Sequence, residues 1–133
     1  MALKLTLKPF ERIIVNGCVL RNGSRRQTLE VENRADVLRG EEMLDAASAR
    51  TPVRKTAYAM QIALVSPQHR DTYIPQIHAD LDALAQALPR FAPQIDQARA
   101  QVDALNFYSA FRALAELIAH EDRLFAHLEQ KQP

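Results

Sequence analysis

The chain has 133 residues, 47% hydrophobic, 25% charged and 6% aromatic with no Trp, which suits a folded soluble domain with a core of Leu, Ile, Val and Ala. A formal net charge of +1 removes any whole-molecule electrostatic argument, and the single cysteine, Cys18, excludes an intramolecular disulfide and an all-cysteine metal centre. With no charged-then-apolar leader and no apolar run near the roughly 18 residues of a membrane span, the expectation is a cytoplasmic protein with no membrane partner.

In chain order, Leu3, Leu5 and Leu7 alternate with Lys4, Thr6 and Lys8, the period-two pattern of a strand with one buried face. Pro9 has no amide proton and ends that ladder. A second strand, from about Glu11 to Val15, is expected to turn at Asn16-Gly17 and return through Cys18, Val19 and Leu20, because both turn residues tolerate positive φ. A second such pair, Asn22-Gly23, leads into Arg25 to Val31. The result is a meander of about four short strands, with one of the two closely spaced turns expected to be bulged or longer. Asn33 to Leu38 offers a fifth. In this apolar setting Cys18 reads as a buried thiol acting as a small hydrophobe.

From Arg39 to Thr51 the pattern fades, and Glu41 to about Ala47 suits either a short helix or an exposed connector. Thr51-Pro52 marks a helix start, with Thr as cap and Pro at the first helical position. Val53, Ala57, Met60 and Leu64 then share a stripe that ends at Ser66-Pro67. Ile74, Ile77, Leu81, Leu84 and Leu88 form the next stripe, with Pro75 either opening or kinking the helix and Pro89 stopping it. Phe91, Ile95, Ala98, Val102 and Leu105 make another. The last seam comprises Phe107, Phe111, Leu114, Ile118, Phe125 and Leu128, interrupted by Glu121 where an apolar residue is expected. The predicted class is α+β: an N-terminal antiparallel β meander (1–39), a connector (40–50) and a C-terminal helical hairpin or small bundle (51–133), forming one compact unit.

Positive signs of catalysis are absent from the sequence. Gly17, Gly23 and Gly40 form no phosphate-cradling loop, and Ser24, Ser48, Ser66 and Ser109 lie in no nucleophile-elbow context. His120 and His127 are two helical turns apart, and His69 and His78 are no better placed, so the histidines read as solvated or capping rather than as metal ligands. Asp80/Asp82 and Glu121/Asp122 diverge on a helix and read as solvated faces. Neither an enzyme nor a cofactor is expected.

Charge distribution carries the remaining signal. Up to residue 55, 11 Lys and Arg stand against 7 acids; beyond it, 6 stand against 9. Lys4, Lys8, Arg12, Arg21, Arg25, Arg26 and Arg34 form the candidate RNA-binding set, and Arg39, Arg54 and Lys55 extend the charge toward the first helix. Guanidinium forks suit phosphates, although basic residues also protect strand edges from aggregation. Phe10 is the one aromatic of the β region, which argues against base stacking and leaves phosphates, backbone amides and strand edges as the means of recognition.

The run Leu5-Thr6-Leu7-Lys8-Pro9-Phe10-Glu11-Arg12-Ile13-Ile14-Val15-Asn16-Gly17, followed by Val19-Leu20-Arg21-Asn22-Gly23 and Glu32-Asn33-Arg34-Ala35-Asp36-Val37-Leu38-Arg39, resembles the FlbT family of flagellar regulators. Thr51-Pro52-Val53-Arg54-Lys55, with Tyr58, Gln61 and Leu64 beyond, is similar as well. The likeness covers residues 2 to about 68 and becomes one of general character in the C-terminal helices. The resemblance implies post-transcriptional control of flagellin synthesis: association with the 5′ untranslated region of flagellin mRNA, lowering its translation or stability, with some relatives acting positively. It also implies a functional link to the small partner FlaF, and no catalytic residues. The competing reading is an adaptor that binds flagellin or FlaF through its helical seams, where Phe107, Phe111 and Phe125 form either a docking stripe or core. A homo-oligomer paired through the edge strand at Leu3–Leu7 is expected under both readings.

Overall fold

The computed structural model describes residues 3–131, and the chain divides into two compact units at the boundary between Met43 and Leu44. Antiparallel strands precede a run of helices, the α+β class expected. In the first unit, β1 (Leu3–Leu7) pairs with β4 (Gln27–Val31), while β2 (Arg12–Val15) lies between β3 (Cys18–Arg21) and β5 (Val37–Leu38). Asn16 at φ 50° and Gly17 at φ 80° close the two-residue β2–β3 turn, in which Val15 faces Cys18.

Strand pairing is nested rather than sequential. β1 passes over the hairpin and joins β4, with Leu5 opposite Leu29. The cause lies at Asn22-Gly23, which is not a hairpin turn. Asn22 N donates to Glu11 O at 2.8 Å and Phe10 N to Gly23 O at 2.9 Å, so backbone pairing continues past the ends of β2 and β3. The Asn22 side-chain Nδ2 then reaches Leu7 O, Lys8 O and Arg25 O at 3.3, 2.8 and 2.9 Å. One amide thereby holds the end of β1 beside the start of the β4 approach.

Leu5, Leu7 and Ile13 form the small core of this unit, with Val15, Val31 and Val37 packed around it. β3 is an outer strand and all its residues are exposed, Cys18 included. The buried thiol expected from the apolar pattern is therefore corrected: alternation marks a strand but does not tell an edge from a centre.

The glycines of this unit differ sharply in what surrounds them. A Cβ on Gly40 would lie 2.7 Å from the Arg12 backbone oxygen, whereas one on Gly23 would meet nothing within 4 Å. Gly40→Ala is expected to lower stability by about 1–2 kcal/mol. Gly23→Ala is expected to stay within about 0.5 kcal/mol of the parent. Thermal melts of the two variants check this contrast.

In the second unit the helices are α1 (Pro52–Val65), α2 (Arg70–Ala87), α3 (Ala92–Asp103), α4 (Phe107–Ala113) and α5 (Ala115–Lys131). Glu41–Ala47 is no helix; a 3-10 turn covers Gly40–Glu42. Thr51 caps α1 as expected, its Oγ1 accepting from Arg54 N at 3.4 Å, and Pro52 opens the helix. α2 runs through Pro75, and Pro89 begins the turn that ends it. Most of the seams face inward, with Met60, Ile77, Leu81, Ile95, Phe107 and Leu114 fully buried. The expected seam residues Leu105, Phe125 and Leu128 are exposed, because the apolar period persists beyond the part of each seam that the bundle covers. Gln61, also buried, clasps the Leu44 backbone with both amide atoms, at 2.8 and 2.9 Å.

Glu121 does not break the seam; it is buried within it. Its Oε1 accepts from the Thr51 hydroxyl, and its Oε2 accepts from Val53 N at 3.1 Å. The solvated-face reading is thereby corrected for Glu121, whereas Asp122 is exposed as expected and meets the start of α1 through Arg54. Asp122 accepts two hydrogen bonds from Arg54, one of them from Nη2 at 3.1 Å. That hydrogen bonding pushes the Asp122 carboxyl down and the Arg54 guanidinium up. Among the described residues no helix is long and apolar enough to cross a membrane, and no group of three or more His, Cys, Asp and Glu side chains is placed to hold a metal ion.

Candidate nucleic-acid interface

Between Leu3 and Gln27 the sequence contains six basic residues, Lys4, Lys8, Arg12, Arg21, Arg25 and Arg26, and one acid, Glu11. That acid is already engaged. Glu11 Oε2 accepts from Arg39 Nε at 3.1 Å and Oε1 from Arg39 Nη2 at 3.2 Å, while Oε1 also takes the Lys8 backbone N–H at 2.9 Å. The Lys8 N–H, and then Arg39, hold the Glu11 carboxyl below the ordinary glutamate range despite the opposing effect of burial. Arg39 Nη2 further donates to Thr6 O at 2.8 Å. Arg39 and Arg54, assigned above to the extended charge, are therefore structural partners of Glu11 and Asp122.

All seven candidate residues have exposed side chains, but the fold gathers only some of them. Arg12 and Arg21 are directly opposed in the β2–β3 ladder. A like-charge cross-strand pair opposes pairing by some tenths of a kcal/mol, and an anion between the two guanidiniums would relieve it. Lys8 and Arg25 are brought toward each other through their backbones, since both carbonyls accept from the Asn22 amide; Arg26 follows in the same loop. Lys4 is set apart, across from Glu30 on the β1–β4 pair. Arg34 lies in the connection between β4 and β5.

The Arg12–Arg21 pairing was available from sequence, because a two-residue turn at Asn16-Gly17 dictates the register. The sequence reading passed over two further features. Asn22 organises the loops through its side chain, which its role as a turn residue does not reveal. Phe10 is 55% exposed and sits at φ 62°, with the Arg21 guanidinium carbon 5.5 Å from its ring centroid.

A family model described as "Flagellar protein FlbT" matches residues 3–125. The chain is similar to a probable flagellum biosynthesis repressor protein FlbT of Rhodopseudomonas palustris, with 32% identity over 95% of this chain and 99% of the relative. A probable flagellum biosynthesis repressor protein FlbT 1 of Bradyrhizobium diazoefficiens is 30% identical over 100% of this chain and 91% of its own. The flagellum biosynthesis repressor protein FlbT of Caulobacter vibrioides is 27% identical over 96% and 92%. No solved structure gives a significant match.

Proposed function

The chain belongs to the flagellar protein FlbT family, and from that premise we propose that it is a non-catalytic, cytoplasmic repressor of flagellum biosynthesis. It acts by binding the 5′ untranslated region of flagellin mRNA and lowering that message's translation or stability. The relatives' description as flagellum biosynthesis repressors supports the repressor role. One observation carries the RNA-binding part: the stretch from Leu3 to Gln27 is basic, and Arg39 occupies its one acid. Unopposed, exposed guanidiniums in ordered loops are what a phosphate backbone requires.

Counterion release supplies the test. Binding of the protein to a flagellin leader RNA is expected to weaken linearly in log affinity against log salt. Arg25→Gln with Arg26→Gln is expected to lower affinity about tenfold at moderate salt and to make that slope shallower. Equal affinity of parent and double variant at every salt concentration would overturn the reading.

One feature favours a second reading, an adaptor for flagellin or FlaF. Phe107 and Phe111 are buried and belong to the core, but Phe125 is exposed together with Leu124 and Leu128 along α5. Pull-down of purified flagellin or FlaF without RNA, abolished by Leu124→Ser with Phe125→Ser, would favour it. Failure to capture either protein would remove them as partners.

A further inference from the structure

We propose that Phe10, with Arg21 against its ring and Arg12 opposite Arg21 in the ladder, is a stacking platform for an unpaired nucleobase, so that the ligand class of the β unit is single-stranded RNA rather than duplex. This inference rests on the RNA-binding reading above and adds to it a base-contacting residue that composition alone argued against.

The conformation of Phe10 is the first observation. Its φ of 62° belongs to the left-handed region, which glycine occupies freely and a bulky side chain does not. The turn is closed by Glu11 N donating to Lys8 O at 3.1 Å, and Phe10 N donates to Gly23 O at 2.9 Å. The backbone there is thus over-determined by its neighbours. Phe10 is 55% exposed, so core packing does not offset that strain. Strain held at an exposed side chain points to function.

Its chemistry is the second. Phe10 is the only aromatic residue between Leu3 and Met43, and Arg21 already lies against the ring, 5.5 Å from guanidinium carbon to centroid. Arg12 is Arg21's cross-strand partner, so a second exposed basic residue occupies the ladder position opposite the arginine that touches the ring. An unpaired base stacks on the ring, while the phosphates on either side of its sugar meet the two forks. A duplex keeps its bases within its own stack and offers this site phosphates alone. Stacking on Phe tolerates any base, so the site selects for single-strandedness more than for sequence.

The strain makes the test unusually discriminating. Full-length protein is titrated against a short fluorescein-labelled oligoadenylate and, separately, a duplex RNA of equal length. Phe10→Gly is expected to raise the melting temperature, because glycine relaxes the turn, while lowering oligoadenylate affinity by about five- to a hundredfold. The salt slope should be unchanged, since no phosphate contact is lost. Phe10→Tyr should retain binding, and Arg12→Gln with Arg21→Gln should make the slope shallower. If the parent binds oligoadenylate and Phe10→Gly binds it equally well, the stacking platform is overturned while RNA binding stands. A parent that binds neither RNA overturns both readings.

Discussion

Replacing Glu121 with Ala is expected to destabilise the helical unit by about 2–4 kcal/mol, the largest effect of any polar substitution considered. The carboxylate is 6% exposed, and it accepts the Thr51 hydroxyl and the Val53 N–H at the positive end of α1. Truncation leaves the buried Val53 N–H and the partly buried Thr51 hydroxyl without that acceptor. Thr51→Ala removes the cap on Arg54 N and one donor to Glu121, and is expected to cost about 1 kcal/mol. The two losses share a hydrogen-bonded chain, so the double variant should lose measurably less than the sum of the single losses. Urea titrations followed by helical circular dichroism measure all three. Strict additivity would show that Glu121 acts independently of the cap.

A second large effect is expected at Glu11, and it depends on pH. Glu11→Gln is expected to weaken the β unit by about 1–3 kcal/mol near neutrality, where the charged carboxylate accepts from Lys8 N and from Arg39. Because those donors depress the folded-state pKa, the unfolded chain takes up the proton more readily than the folded one. Glu11's contribution is therefore complete above the ordinary glutamate pKa and is lost as pH falls through the lowered folded value. Amide exchange in β2, measured for parent and variant, should differ most at neutral pH and converge toward acid. A difference that stays constant across that range would assign the contribution to shape rather than charge.

What was legible in the sequence was local. The Thr51-Pro52 start, the Asn16-Gly17 turn and the inward seams of α2 and α3 are each set by residues within a few positions of one another. They stand as the periodicity and turn chemistry predict, except that Leu105, assigned to the α3 seam, lies past the end of the helix and is exposed. What escaped was pairing at a distance. Nothing near Glu11 announces Arg39, 28 residues away, and β1 joins β4 rather than its neighbour because Asn22 uses its side chain instead of its turn propensity. Glu121 looked like an interruption because an amphipathic pattern treats every charged residue as solvent-facing. Its partners lie 68 and 70 residues back. At the candidate site the charges were legible but their grouping was not: Arg12 with Arg21 follows from one hairpin register, whereas the conformation of Phe10 leaves no trace in a Lys-Pro-Phe-Glu string.

The link between Glu121 and α1 also bears on the order in which the molecule is completed during synthesis. α1 leaves the ribosome before α2 to α5, yet the carboxylate that finishes its N-terminus is translated 68 residues after Val53. Until α5 emerges, α1 has only Thr51 to satisfy its leading amides. A nascent chain arrested before Glu121 therefore carries an incompletely capped helix, open to chaperones and proteases in a way the released protein is not. The earliest helix of the bundle is among the last to be secured.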